Sequence, residues 1–382
     1  EKKINPRIKD LIKYEYERSY NIKKIVDIPV ILANRINEPG MADILLDMDK
    51  CDFVGMARGS LADPMLPKKA KEGKMNQINY CIGCLQGCEW ALFDGKGVTC
   101  LVNPRVGREY ECDLTPVKEP KNVMVVGGGP AGLMAARTAA IRGHNVSLYE
   151  SKKSLGGQFE SVAYPIGKGE LSTFTSSMRA NLEALNVPVH LGTEVTEELI
   201  QKVRPDAIVL ATGAKPFIPP IKGIDQEHVH FAEDMLLGKY DYPNGPIVVC
   251  GGGEVGSETA HYLQEKNHQV TIVEMQSDIL NDMMPISREY LLKMMRESGV
   301  NVKTNFKVKE ITKDAVIGEN QEGQLVSLPA EMVVSAFGYK SYNPLEEMAH
   351  NNCKEVYVIG GAVKAGSAIP ATKEGLEVGL KL

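Results

Sequence analysis

Four cysteines lie close together in this sequence and could hold one metal centre. Two, three and eleven residues separate successive members of the set, which is Cys81, Cys84, Cys88 and Cys100. Four thiolates suit either tetrahedral zinc or an iron–sulfur cluster, because cysteine sulfur is a ligand of both. The spacing alone leaves these two kinds of centre open.

The first of two glycine-rich loops matches the pattern G-x-G-x-x-G, follows an apolar run at 122–126 and precedes a helical pattern. Gly127 permits the tight turn, Gly129 lets backbone N–H groups reach a pyrophosphate, and Gly132 lets the helix pack on the strand. Glu150 ends the next predicted strand, where its carboxylate can accept hydrogen bonds from ribose hydroxyls. These features together predict a dinucleotide site.

The second glycine-rich loop repeats this pattern 124 residues later, with Gly251, Gly253, Gly256 and the strand-end acid Glu274. The carboxylate of Glu274 would repel a 2′-phosphate, and no Lys or Arg follows it within four residues. The second loop is therefore predicted to bind NADH rather than NADPH. Two fingerprints in one chain indicate two dinucleotides, an electron carrier and a hydride donor.

The elements that must position these loops follow an α/β pattern. Each loop lies between an apolar strand and a helix, and residues 28–33, 41–49 and 52–57 read as strand, helix and strand of a parallel β/α unit. Two such strands cannot close a barrel, so we expect residues 1–75 to be the end of a larger domain whose front is absent.

The composition excludes several classes of protein. The 382 residues include 44 Lys plus Arg and 49 Asp plus Glu, so the net charge of −5 does not indicate nucleic-acid binding. Apolar runs are too short for a membrane span. Four of the eight cysteines fall in one short segment rather than in spread pairs, which predicts the reducing cytoplasm.

Three further glycine motifs lie at 156–158, 211–213 and 356–361. Together with the two loops, they resemble the flavoprotein fold of the disulfide-reductase superfamily. In that superfamily the first loop binds FAD, the second binds NAD(P)H, and the chain then returns to the FAD domain. The FAD contacts that the resemblance implies are Ala131, Glu150, Gln158, Ala211, Gly213, Gly360 and Gly361. Gly361 departs from the pattern, because many relatives carry Asp there. The Cys pair of a redox-active disulfide is not visible after Gly157.

Segments 33–37 and 56–64 look like the last two strands of an Old-Yellow-Enzyme-type (β/α)8 barrel. The cysteine segment, followed by Leu101-Val102-Asn103-Pro104-Arg105, resembles the iron–sulfur segment of the 2,4-dienoyl-CoA reductase, enoate reductase and trimethylamine dehydrogenase family. The resemblance implies a [4Fe–4S] cluster on the four cysteines. It also implies FMN in the barrel, with its phosphate near Arg35, Ala57 and Arg58.

The predicted fold class is α/β: a C-terminal remnant of a (β/α)8 barrel, an iron–sulfur segment, and two Rossmann-like FAD- and NAD(P)-binding domains of disulfide-reductase type. The predicted division is 1–79 for the barrel end, 80–112 for the cluster segment, 113–245 for the first part of the FAD domain, 246–330 for the NADH domain and 331–382 for the FAD return.

The family resemblance implies an NADH-dependent iron–sulfur flavoenzyme. Electrons would pass from NADH to FAD, to the cluster and to FMN, and would reduce an activated C=C bond of a small unsaturated substrate. The proton donor would lie on barrel strands outside this sequence, so no catalytic residue is named. Alternatives are an amine dehydrogenase, an electron-transfer or diaphorase module serving a partner, and structural zinc in place of the cluster. We also expect a homo-oligomer.

Overall fold

The computed structural model describes residues 16–165 and 167–382. The chain forms two compact units. The first comprises Glu1–Ala163, Gly167–Gly213 and Tyr342–Leu382, and the second comprises Tyr164–Ile166 and Ala214–Ser341.

The strands are, in chain order, β1 (Ile31–Ala33), β2 (Phe53–Gly55), β3 (Asn122–Val126), β4 (Asn145–Glu150), β5 (Val189–Leu191), β6 (Ala207–Leu210), β7 (Ala214–Pro216), β8 (Val229–Phe231), β9 (Ile247–Cys250), β10 (Val270–Val273), β11 (Asn301–Lys303), β12 (Lys307–Ile311), β13 (Ala315–Glu319), β14 (Leu325–Pro329), β15 (Met332–Ser335), β16 (Tyr339–Ser341) and β17 (Glu355–Val358).

The helices that lie wholly within the described residues are α1 (Pro39–Asp47), α2 (Ala57–Ala62), α3 (Leu66–Lys71), α4 (Glu89–Phe93), α5 (Pro130–Ile141), α6 (Ser172–Ala184), α7 (Glu197–Val203), α8 (Ala232–Leu236), α9 (Glu254–Gln264), α10 (Pro285–Ser298), α11 (Glu346–Asn352) and α12 (Ala368–Lys381). Among the described residues, no helix is both long enough and apolar enough to cross a membrane.

The first unit is built on a parallel five-stranded sheet with the order β17-β6-β3-β4-β5. All four residues of β6 are buried, and so are four of the five in β3, because helices cover both faces of such a sheet. The strand predicted at 122–126 is therefore confirmed with its limits unchanged. The carboxyl ends of β3, β6 and β17 meet at one edge, where open α/β sheets bind ligands.

The N-terminal β/α piece also belongs to the first unit. β1 and β2 pair in parallel, with Ile31 opposite Phe53, and α1 connects them as predicted. Each strand is only three residues long, shorter than the apolar runs at 28–33 and 52–57. The helix begins at Pro39, two residues before the predicted start, because proline is well suited to the first turn of a helix.

The second unit is built on another parallel sheet, with the order β11-β10-β9-β15-β8. A three-stranded antiparallel sheet, β12-β13-β14, and the antiparallel pair β7–β16 complete it. The two parallel sheets confirm the predicted α/β class with two Rossmann-type nucleotide folds.

The compact units differ from the predicted division at both ends of the second nucleotide domain. Residues 214–245 and 331–341, which the sequence predicts to belong to the FAD domain, lie with the second unit. The reason is strand pairing: β15 runs parallel to both β8 and β9, so it brings the segments before and after the predicted NADH domain into the same sheet.

Two helices of the first unit, α5 and α12, approach at glycines. A Cβ built on Gly375 would lie 2.4 Å from the carbonyl oxygen of Ala131, and one on Gly379 would lie 2.5 Å from the Cβ of Thr138. Helix α5 is the helix that follows the first glycine loop, so this contact fixes the end of the chain against the nucleotide fold.

We expect Gly375→Ala to destabilise the protein by about 1–3 kcal/mol, because the added methyl has no space between the helices. In an exposed helix the same change would stabilise by roughly 1 kcal/mol. Urea denaturation followed by circular dichroism measures the difference. Gly366→Ala is the matched control, because a Cβ at Gly366 has no atom within 4 Å. Equal stability of the two variants would contradict the packing argument.

A buried histidine predicts a loss of stability in acid. The Nδ1 atom of His144 accepts a hydrogen bond from the backbone N–H of Lys121 at 3.1 Å. Burial, followed by the nearby charges of Arg142 and Lys121, lowers the pKa of His144 below 6.5. The unfolded state therefore binds a proton more readily, and stability is lost as the pH falls from about 6.5 through the lowered value.

His144→Asn should remove this part of the pH dependence, because the asparagine side-chain oxygen can accept the same N–H bond without titrating. The measurement is the free energy of unfolding of both proteins between pH 7.5 and pH 5. The wild type should lose more stability over this interval than the variant does. Parallel curves would show that His144 does not carry the effect.

Candidate functional site

The first glycine loop has the close contacts that its spacing predicted. Gly127 has a φ of +110°, and a Cβ there would lie 2.2 Å from the carbonyl oxygen of Ala211. A Cβ on Gly132 would lie 1.9 Å from the carbonyl oxygen of Gly127. Above Gly129, by contrast, a Cβ would have no atom within 4 Å. The loop is thus tightly packed at Gly127 and Gly132, whereas the space beside Gly129 is open. This space lies at the amino end of α5, where an anion is favoured.

A carboxylate braces this loop from the neighbouring strand. Glu150, at the end of β4, is 7% exposed. Its Oε2 accepts from the N–H of Gly128 at 2.7 Å, and its Oε1 accepts from the N–H of Lys152 at 2.7 Å. The spacing did not reveal this brace, although the acid itself was singled out. Its contact with a ribose stays a prediction.

The same brace is repeated in the second unit. Glu274 accepts from the N–H of Gly252 at 2.7 Å and from the N–H of Gln276 at 2.8 Å. Gly251 has a φ of +114° and faces the backbone of Ala336, as Gly127 faces Ala211. The remaining predicted residues, Gly253 and Gly256, lie at the amino end of α9. The two loops are therefore built alike.

The other predicted FAD residues lie around the first loop. Ala131 is on α5 and lies close to Gly360, since a Cβ on that glycine would be 2.8 Å from the Cβ of Ala131. Gly360 and Gly361 follow β17, in the 3₁₀ turn Gly360–Ala362. Ala211 and Gly213 follow β6, and Gln158 lies in the 3₁₀ segment Gly157–Ala163, whose first residue faces Gly129.

The four cysteines of the predicted centre are partly buried, carry free thiols and line one cavity of the first unit. The backbone N–H of Thr99 donates to the carbonyl oxygen of Gly87 at 2.8 Å, which closes the eleven-residue loop and brings Cys100 back to Cys88. The other residues lining the cavity are Arg58, Leu61, Ile82, Gly83, Leu85, Gly87, Leu101 and Val102.

Burial affects two of these thiols. It raises the pKa of Cys84 to about 12 and also raises the pKa of Cys100. Backbone hydrogen bonds oppose this effect, from Gln86 to Cys84 and from Asn103 and Val102 to Cys100. A bound cationic centre would favour the thiolate form of these two sulfurs.

Among the described residues, no three or more His, Cys, Asp or Glu side chains are arranged closely enough to hold a metal ion. Zinc and an iron–sulfur cluster both take cysteine ligands, so the cluster on these four cysteines stays a prediction.

The three residues predicted near an FMN phosphate have different surroundings. Arg58 lines the cysteine cavity. Ala57 is exposed at the first residue of α2. Arg35 places Nη2 at 2.6 Å from both carboxylate oxygens of Glu170, a residue 135 positions away that no sequence signal marks. The phosphate contact stays a prediction.

Comparison with known families matches both parts of the chain. Residues 121–375 match the pyridine nucleotide-disulphide oxidoreductase family, which is two thirds of the sequence. Residues 3–77 match the NADH:flavin oxidoreductase / NADH oxidase family. The first match contains both glycine loops, and the second contains the β/α piece.

Individual relatives agree with these matches. An NADH oxidase of Thermoanaerobacter brockii is 43% identical over 94% of this chain and 56% of its own length. A cinnamate reductase of Clostridium sporogenes is 33% identical over 94% of this chain and 54% of its own. A solved 2-naphthoyl-CoA reductase is 32% identical, with a TM-score of 0.92 over 96% of this chain and 56% of its own.

The chain therefore spans little more than half the length of the relatives it matches. These relatives are the kind expected from the resemblance to the 2,4-dienoyl-CoA reductase, enoate reductase and trimethylamine dehydrogenase family. The chain belongs to the pyridine nucleotide-disulphide oxidoreductase family, with an adjoining segment that matches NADH:flavin oxidoreductases.

Proposed function

We propose that this chain is the electron-delivering part of an NADH-dependent iron–sulfur flavoenzyme that reduces an activated C=C bond. The observation that carries the proposal is the combination of two equally braced glycine loops with a four-cysteine cavity in one chain. Two such loops match a hydride donor and a flavin, and a four-cysteine centre can take electrons singly from a flavin.

Each group has a distinct set of residues to hold it. The first loop, with Glu150, would hold FAD, and the second, with Glu274, would hold NADH. Cys81, Cys84, Cys88 and Cys100 would hold a [4Fe–4S] cluster, and Arg35, Ala57 and Arg58 stay the proposed contacts of FMN. When bound, these groups supply two-electron transfer at the flavins and one-electron transfer at the cluster. The protein itself contributes backbone N–H donors at both loops and at the thiolates.

The substrate class follows from the relatives. One is named for reducing cinnamate and another for reducing 2-naphthoyl-CoA. Both compounds join an unsaturated carbon framework to a carboxyl or thioester group. We propose a substrate of this chemistry, a 2-enoate, an enone or an enoyl thioester, and expect the protein to work as a homo-oligomer in the cytoplasm.

Anaerobic mixing with NADH tests the proposal directly. We expect NADH to bleach the flavin absorbance of the purified holoprotein, and iron and sulfide analysis to give about four of each per chain, as a [4Fe–4S] cluster requires. Finding zinc and no iron in the purified protein would rule out the iron–sulfur cluster. Absence of bleaching, with reduction by an amine instead, would establish the amine dehydrogenase alternative. Bleaching without reduction of any 2-enoate would favour a diaphorase module.

The choice of NADH over NADPH depends on the charge of Glu274. We expect Glu274→Gln to raise the ratio of NADPH to NADH affinity by about tenfold, because it removes a charge repulsion of roughly 1 kcal/mol or more. The amide oxygen can still accept from Gly252 N–H, so the loop keeps its brace. Binding titrations with both nucleotides measure the ratio.

Glu150→Gln is the matched control, since Glu150 forms the same brace in the other unit. It should weaken FAD retention and leave the NADPH-to-NADH ratio unchanged. A ratio that responds to Glu150→Gln rather than to Glu274→Gln would reverse the assignment of the two loops.

A further inference from the structure

Arg35 lies in a backbone conformation that non-glycine residues seldom adopt. It follows β1, and both Asn34 and Arg35 have positive φ values, 89° and 55°. Such a pair is unfavourable and persists only where surrounding contacts hold it. The Arg35 side chain reaches the cysteine segment at Gly83.

The guanidinium of Arg35 contacts the turn between two of the four cysteines. A Cβ built on Gly83 would lie 2.8 Å from Nη1 of Arg35 and 3.5 Å from Oε2 of Glu170. Gly83 has a φ of +64° and lies between Cys81 and Cys84. On the same loop, the side-chain amide of Asn37 donates to the carbonyl oxygen of Cys81 at 3.5 Å.

Glu170 pairs with this guanidinium. Its two oxygens each lie 2.6 Å from Nη2 of Arg35, and its backbone belongs to the 3₁₀ turn Gly169–Leu171 before α6. The Arg35–Glu170 pair therefore joins three segments of the first unit: the end of β1, the cysteine turn and the start of α6.

We propose that the Arg35–Glu170 pair is a positioning device for the iron–sulfur centre, which holds the Cys81–Cys84 turn in its ligating conformation. This inference rests on the proposed function. The pair would act through Gly83 and would not touch the reacting atoms. Contacts one shell beyond the ligands orient those ligands and tune the centre.

This role differs from the predicted contact of Arg35 with an FMN phosphate. The Glu170 carboxylate offsets much of the positive charge of the Arg35 guanidinium and accepts hydrogen bonds from it. The guanidinium is therefore less available to a phosphate. The two roles make opposite predictions: loss of a phosphate contact would weaken FMN binding, whereas loss of the positioning pair would weaken the iron–sulfur centre.

The test compares Arg35→Gln, Glu170→Gln and the exchanged pair Arg35→Glu with Glu170→Arg, all as anaerobically purified holoprotein. We expect both single variants to release iron to a chelator about tenfold faster than wild type, the scale typical of such outer contacts. In both single variants, we also expect the midpoint potential of the cluster and the electron paramagnetic resonance spectrum of the reduced cluster to differ from those of the wild type. The exchanged pair should restore slower release.

Arg179→Gln is the matched control, because Arg179 pairs with Glu183 on the exposed face of α6 at 3.0 Å. It should behave as wild type.

The outcomes separate this inference from the proposed function. Iron in the wild type, with release and potential unchanged in both single variants, would overturn the positioning role alone. Loss of FMN with an intact cluster in Arg35→Gln would also overturn it and would support the phosphate contact. A wild-type chain that binds no iron would overturn the proposed function itself.

Discussion

The hydrogen bond from a glycine-loop N–H to a strand-end glutamate is the interaction on which both nucleotide folds depend. It joins Gly128 to Glu150 and Gly252 to Glu274, each at 2.7 Å. In both folds it ties the turn after one strand to the end of the adjacent strand. An open loop lined with N–H groups would otherwise be free to collapse, and a preorganised loop binds a pyrophosphate without that ordering cost.

The cysteine segment depends on a different constraint, the closure of a loop by backbone contacts. The hydrogen bond from Thr99 to Gly87 brings the two ends of the loop between Cys88 and Cys100 together. The backbone donors around Cys84 and Cys100 lower the free-energy cost of forming thiolates there. Burial opposes ionisation at the same two sulfurs, so a bound cationic centre would favour their thiolate form. The segment also packs against the hydrophobic core of the first unit, through Ile82, Leu101 and Val102.

Much of the nucleotide architecture was predictable, because it depends on local rules. The strand at 122–126 and the placement of Glu150 follow from apolar runs and glycine spacing, and the structure agrees with both. The helix predicted over 133–142 is also present, but it begins three residues earlier, at Pro130. The limits of the second unit were not predictable. β8 and β15 are short strands whose sheet is decided by partners far away in the chain, and no local pattern states which sheet a short apolar run will join.

The sequence by itself determined which groups are available for chemistry: two glycine loops, each with its acid, and four closely spaced thiols. Those features depend on residue type and short separation, which the chain carries in any conformation. Only the tertiary structure decided that Glu150 and Glu274 brace their loops, that Arg58 lines the cysteine cavity and that Arg35 pairs with Glu170. These contacts join residues up to 135 positions apart, and such neighbours are selected by packing of the whole unit rather than by local sequence.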